Sequence, residues 1–257
     1  MSVSLAIEKH VARVTIDRPQ ALNAIDEAAE RALQGIWMRL EGDREVRAIV
    51  LTGTGDRAFC AGADMKSGGK SGLAYWAAPR EGGFGGIALR RTLDVPVIAR
   101  VNGHALGGGF EMVLGCDIVV AAEEASFGLP EPRVGRLALD GGMVLLPRFV
   151  PHKAAMGMLL TGRRIAAREA HALGLVNEVV PRAELDAAVD RWLADILACA
   201  PLALRAIKQT VQRTAHLGAA EAHAMRLPAL VEALESADGE EGVRAFREKR
   251  APVWTGR

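Results

Sequence analysis

Two glutamates twenty residues apart, Glu111 and Glu131, and two small-residue segments upstream of them are the groups in this chain best suited to chemistry. The first segment, Ala58 to Asp64, reads Ala-Phe-Cys-Ala-Gly-Ala-Asp, and the second, Asn102 to Glu111, reads Asn-Gly-His-Ala-Leu-Gly-Gly-Gly-Phe-Glu. Small residues let a substrate approach the backbone, so that peptide N–H groups become the donors; two of them converging on one oxygen make an oxyanion hole. A helix starting within Gly107 to Gly109 would add its free N–H groups and the positive end of its dipole. Glu111, three residues past Gly108, would share that face. Glu111 equally fits a plainer role, complementing the helix N-terminus while the glycines only permit tight strand-to-helix packing. Pro130 and Pro132 flank Glu131 and predict an extended backbone there, which presents the carboxylate either for catalysis or to a salt bridge with Arg133 or Arg136.

Composition narrows the field. The 257 residues suffice for one large domain with its own core, and 32 Lys+Arg against 31 Asp+Glu leave no overall field to recruit nucleic acid or an acidic membrane surface. Glycine is in excess, 28 residues where an average composition of roughly 7% would give about 18. Fifteen of them lie between Gly53 and Gly115, a local clustering that suits a site. The nucleotide motifs fail there: Gly53, Thr54, Gly55 is followed by Ala58 where the dinucleotide fingerprint needs glycine, and Gly69, Lys70, Ser71 has Asp64 in place of the first P-loop glycine. A serine-hydrolase elbow fails at Glu124. Cys60, Cys116 and Cys199 are odd in number and form no C-x-x-C, which argues against a disulfide framework or a zinc site and for reduced thiols in a cytoplasmic setting. The N-terminus lacks an apolar signal core and no run nears ~18 apolar residues, so neither this export route nor a membrane span is expected.

Elements must hold these groups in place. Residues 3–16 alternate as a strand pair, Asp26 can cap a helix reaching about Leu40, and short apolar runs at Ala48–Leu51, Pro96–Val101 and Asp117–Ala121 predict buried parallel strands. Strands alternating with helices define an α/β fold. Lys66 to Gly86, rich in Gly and without period, reads as a mobile loop. From about Met143 the pattern is helical, with helices predicted over His152–Leu160, Ala166–Leu173, Glu184–Ala200, Leu202–Thr214, Ala219–Ser236 and Gly239–Arg250.

In order along the chain, Arg18 to Ala24, Phe59 to Asp64, Asn102 to Glu111, Cys116 with Asp117, Ser126 to Glu131, Leu160 to Gly162, Gly174 to Val176 and Phe246 to Arg250 together resemble the enoyl-CoA hydratase/isomerase (crotonase) family over essentially the whole length. The resemblance implies a spiral of repeated ββα units over residues 1–200, and a C-terminal helical trimerisation region over 201–257. It implies an enoyl-CoA hydratase, with crotonobetainyl-CoA hydratase or another specialised member as the alternative. Such an enzyme would work as a homotrimer or dimer of trimers, without metal or tightly held cofactor and without nucleic acid. The Ala63 and Gly108 N–H groups would bind the thioester oxygen, Glu131 would give the proton to C2 and Glu111 would activate the water. Gln20, Ala21 and Leu22 would border the adenine of coenzyme A, with Ala61, Asp64, Met65 and Lys66 beside pantetheine and thioester. Phe246 and Lys249 would reach the CoA of a neighbouring subunit, Lys249 as a point charge on phosphate.

One departure from the straight-chain hydratases stands out. After Glu131 many carry a Pro-Gly-Ala-Gly-Gly run, whereas this chain reads Leu137, Ala138, Leu139, Asp140, Gly141, Gly142. Asp140 could cap a helix starting at Gly141, or face the acyl group and attract a cationic or hydroxylated one.

Overall fold

Alternating apolar residues in β1 (Val3–Glu8) and β2 (Val11–Ile16) form an antiparallel ladder pairing Val3 with Ile16 and Glu8 with Val11. Lys9 and His10, which join them, both have positive φ, as a tight two-residue hairpin turn requires. A computed structural model describes residues 2–68, 72–78 and 80–257. α1 (Glu27–Gly42) follows, capped by Asp26, whose carboxylate accepts the Ala29 N–H at 2.8 Å; its apolar stripe of Ala29, Leu33, Trp37 and Leu40 is buried.

The chain then repeats a unit. β3 (Ala48–Gly53) runs into β4 (Ala58–Cys60) and a short helix α2 (Leu73–Trp76); β5 (Val97–Val101) runs into β6 (His104–Leu106) and α3 (Gly108–Leu114); β7 (Ile118–Ala122) runs into β8 (Ser126–Gly128) and, past a turn, α4 (Gly142–Phe149). α5 (His152–Thr161), β9 (Arg164–Ala166), α6 (Ala167–Ala172), β10 (Glu178–Val180) and α7 (Leu185–Leu197) complete the body. In each unit the first strand joins a six-stranded sheet ordered β1-β2-β3-β5-β7-β10 and the second a four-stranded sheet ordered β4-β6-β8-β9. Both sheets are mixed, with β1–β2 and β8–β9 antiparallel and the other pairs parallel. The expected α/β spiral of ββα units is therefore present.

The larger sheet is covered on both faces, which is why β3 opens on an unbroken apolar run, β7 is one throughout, and β5 is broken only by Arg100. Ile49, Leu51, Val97, Ala99, Val119 and Ala121 face the main core with α1, while Val50, Ile98 and Val120 face Leu185, Ala188, Val189 and Leu193 of α7. Two buried asparagines tie the strand ends together. Asn23, at φ 55°, donates to the Thr54 and Ala58 carbonyls, and Asn102 donates to those of Gly55 and Ala58.

Three sequence expectations need correction. The predicted helix Ala219–Ser236 is two, α9 (Ala219–Ala224) and α10 (Pro228–Leu234), because Pro228 forces extended backbone before it; α8 (Pro201–Thr214) precedes them and α11 (Ala237–Glu248) follows. The 66–86 segment is not a bare loop. Beyond α2 it folds onto α1, burying Phe84, Gly85 and Gly86, with Trp37 Nε1 donating to the Gly85 carbonyl at 2.7 Å and Gln34 to that of Glu81 at 2.7 Å. Gly69 to Ser71 and Pro79 of that segment lie outside the described residues. Glu131 is not extended but opens a short 3₁₀ turn, Glu131–Val134, where Pro132 sits at an early position needing no N–H and Gly135 closes the turn at φ 67°.

Candidate active site

Ala63 lies at the exit of β4. Its neighbours are committed to Ile25, whose N–H donates to the Gly62 carbonyl and whose carbonyl accepts the Asp64 N–H, both at 2.9 Å. That pairing turns the Ala63 N–H to the opposite side, where it meets no protein acceptor among the described residues. The Gly108 N–H, first in α3, is equally uncommitted there. The two segments touch: a Cβ on Gly62 would stand 3.3 Å from the Gly108 nitrogen and 3.7 Å from the Gly107 Cα. Close approach also explains Gly109, where a Cβ would fall 2.1 Å from the Cys60 carbonyl oxygen, and Gly107, whose φ of 55° and ψ of −131° are essentially a glycine conformation.

Glu111 projects from the first turn of α3 and is 3% exposed. One of its oxygens, Oε1, accepts the backbone N–H groups of Asp140 and Gly142, each at 2.9 Å. Burial pushes its carboxyl up to about 8 against the pull of the Gly142 N–H, and the charges of Asp140 and Glu131 add to the rise. Glu131 approaches from the 3₁₀ turn; a Cβ on Gly107 would lie 2.8 Å from its Oε1, so this glycine makes room for the carboxylate. Its other oxygen is buried with no partner among the described residues, and burial raises its pKa as well. Among the described residues no salt bridge joins it to Arg133, which donates to the Thr161 carbonyl, or to Arg136. The site thus combines two uncommitted amides with a buried carboxyl, Glu111, and a half-buried one, Glu131, that disfavour joint ionisation, a set able to polarise a carbonyl and to move a proton each way.

A cavity of about 630 Å³ opens beside Ala63 and is walled by Asp64, Met65, Glu30, Tyr75, Arg80 and Phe84. The two glutamates are not among its walls; Phe84 stands on that side, its ring packed on Gly108 so closely that a Cβ there would come within 2.6 Å. Of the two roles open to Asp140, capping α4 is not the one it takes: its carboxylate accepts the Tyr75 hydroxyl, whose oxygen in turn accepts from Arg80 at 2.8 Å. Spacing in the sequence gives no hint of Glu30, Tyr75 and Arg80. The one available signal is an acid, Glu30, beside the buried stripe of α1.

The residues expected to hold coenzyme A fall in two groups. Gln20 and Ala21 form a 3₁₀ turn ending at Leu22, whose carbonyl accepts the Ala61 N–H at 3.1 Å, so the 20–22 and 61–66 segments are brought together. Arg18 clips them further, donating to Asp64 at 2.9 Å and pairing with Asp26 at 3.0 Å; its guanidinium holds the Asp64 carboxyl below the usual range. Met65, on the cavity wall, and Lys66, which does not line it, are both exposed. Phe246, 85% exposed on α11, and Lys249, at its left-handed C-terminus, do not line this cavity.

The enoyl-CoA hydratase/isomerase family model matches residues 6–257. A carnitinyl-CoA dehydratase from Salmonella typhi is 39% identical across the full length of both chains. Among solved structures, an enoyl-CoA hydratase from Mycobacterium tuberculosis H37Rv superposes with a TM-score of 0.89 at 35% identity, covering 100% of this chain and 99% of the other. An enoyl-CoA hydratase from Bacillus anthracis superposes with a TM-score of 0.90 at 32% identity, covering 100% of both chains.

Proposed function

Because this chain belongs to the enoyl-CoA hydratase/isomerase family, we propose that it adds water across the 2,3 double bond of a 2-enoyl-CoA thioester to give the 3-hydroxyacyl-CoA. The observation that carries this reading is the meeting of two uncommitted amides, Ala63 and Gly108, with two carboxyls, the buried Glu111 and the half-buried Glu131. As water attacks C3, negative charge collects on the thioester oxygen; donors already aimed at it stabilise that charge, and losing one typically costs ~10²–10³ in kcat. One carboxylate takes a proton from the water and the other, protonated, delivers one to C2.

The division of labour implied by the family gives C2 protonation to Glu131 and the water to Glu111. Burial raises both carboxyls, so the pair holds on to a shared proton, and that division uses it from Glu131 at the C2 step. Gln20, Ala21, Leu22, Ala61, Asp64, Met65 and Lys66 would bind the CoA arm. Residues 201–257 would form the contact region of a trimer or dimer of trimers, in which Phe246 and Lys249 serve a neighbour's CoA.

With crotonyl-CoA, the protein is expected to bleach the ultraviolet absorbance of the conjugated thioester, and Glu131→Gln to slow this by ~10²-fold or more. Unchanged turnover in that variant would remove Glu131 from the reaction.

A second reading, a hydro-lyase specialised for a polar acyl group such as crotonobetainyl-CoA, is favoured by the polar cavity wall of Glu30, Tyr75 and Arg80 and by the 39% identical carnitinyl-CoA dehydratase. Relative kcat/KM across a panel of straight-chain, hydroxylated and cationic acyl-CoA esters separates the two.

A further inference from the structure

We propose that Tyr75 and Asp140 are positioning residues for Glu111: the Tyr75 hydroxyl docks the segment after β4 on the Asp140 side chain, while the Asp140 backbone holds the glutamate. The two halves of the contact are hydrogen bonds through one residue. Tyr75 Oη donates to Asp140 Oδ2, and the Asp140 peptide N–H donates to Glu111 Oε1 at 2.9 Å. Arg80 completes the outer side, donating to Tyr75 Oη at 2.8 Å with its guanidinium 3.8 Å over the ring. Gly83 packs against the same residue, since a Cβ there would be 3.1 Å from the Asp140 carbonyl oxygen and 3.5 Å from its Cβ.

A third acid, the half-buried Asp140, beside Glu111 and Glu131 is costly unless it is stabilised in place. Burial pushes the Asp140 carboxyl up, the Tyr75 hydroxyl and the nearby Arg80 charge oppose that rise, and Glu30 is the further acid that senses Asp140. Glu111 itself is faced by Asp140 from the α4 side and Glu131 from the 3₁₀ turn. Two effects follow. The Asp140 and Gly142 N–H groups fix the Glu111 rotamer, and the Asp140 charge holds the Glu111 proton on. The segment that walls the cavity is therefore tied to the protonation of the glutamate behind Phe84. This role rests on the hydration proposed above, but its test does not require turnover.

The test is a titration of Glu111 by the carboxyl carbon resonance in protein labelled at glutamate Cδ, with Glu111→Gln identifying the signal. Asp140→Asn keeps the backbone N–H and removes the charge, so the Glu111 midpoint should fall by roughly one pH unit. Tyr75→Phe should shift the midpoint in the wild-type background and leave it unmoved in the Asp140→Asn background, because its influence runs through Asp140. Thermal melts confirm that each variant is folded. A Glu111 midpoint unchanged by Asp140→Asn, or a Tyr75→Phe shift of equal size in both backgrounds, would overturn the proposal. If crotonyl-CoA is not hydrated but the midpoint moves as stated, the coupling stands and the substrate assignment fails.

Discussion

At the residue scale, Glu111 is a carboxyl kept neutral by its surroundings. Its folded pKa, near 8, lies above the ordinary glutamate value, so the folded state binds the proton more tightly than the unfolded chain. The resulting stability is complete below the unfolded value and is lost as pH rises through about 8. Glu111→Gln keeps an oxygen for the Asp140 and Gly142 N–H groups and removes the ionisation. It should match the parent at pH 4.5 and exceed it at pH 9 by on the order of 1–3 kcal/mol, read as a Tm gap that opens with pH. A constant gap would mean that Glu111 does not titrate in this range. Activity should carry the same signature: kcat/KM falls above about pH 8, where the pair loses the one proton it shares. Residue types and spacing were enough to single out both glutamates and the amide segments. The protonation of Glu111 was not readable, because it depends on Asp140, 29 positions away, and on burial that only the folded chain creates.

At the element scale, the helix α3 is seated by glycine. Gly109 lies where a side chain would strike the Cys60 carbonyl, so β4 and α3 can meet only through backbone. Gly109→Ala would push α3 off the strand end and carry the Gly108 amide with it. The expected result is a loss of ~1–3 kcal/mol in chemical denaturation and a fall of at least tenfold in kcat for crotonyl-CoA. Retained kcat in the variant would show that the Gly108 amide does not need this seat. β3 and β7 could be read from sequence because four or more apolar residues in a row announce a strand buried on both faces, and β1 and β2 because their apolar residues alternate. The second sheet could not: β4, β6, β8 and β9 are three residues each, too short to show a period. The fold of Phe84 to Gly86 onto α1 was hidden for a related reason, since glycines at positive φ look the same in sequence whether they line a free loop or a packed one.

At the scale of the whole molecule, α8 to α11 extend beyond the two sheets and expose large apolar side chains, with Leu234 84% and Phe246 85% accessible in the single chain. Contacts between copies are the proposed use of that surface. Sedimentation at micromolar concentration should give the mass of three or six chains, and Phe246→Ala should raise KM for the acyl-CoA more than it lowers kcat. The mass of one chain across that range would refute the assembly.

Asn102 and Gly103 form the dipeptide most prone to deamidation in a flexible chain, where the glycine nitrogen can swing onto the side-chain carbonyl. Here the swing is blocked. Asn102 is 2% exposed, its amide donates to the Gly55 and Ala58 carbonyls, Arg182 holds its own carbonyl, and a Cβ on Gly103 would already overlap the Arg57 backbone. The native fold therefore protects its own covalent structure, and each excursion to the unfolded state starts a chemical clock. An aspartate produced from Asn102 in that way offers no side-chain N–H to either carbonyl, so a chain that ages while unfolded loses one of the two amides that join its strand ends and returns to a weaker fold.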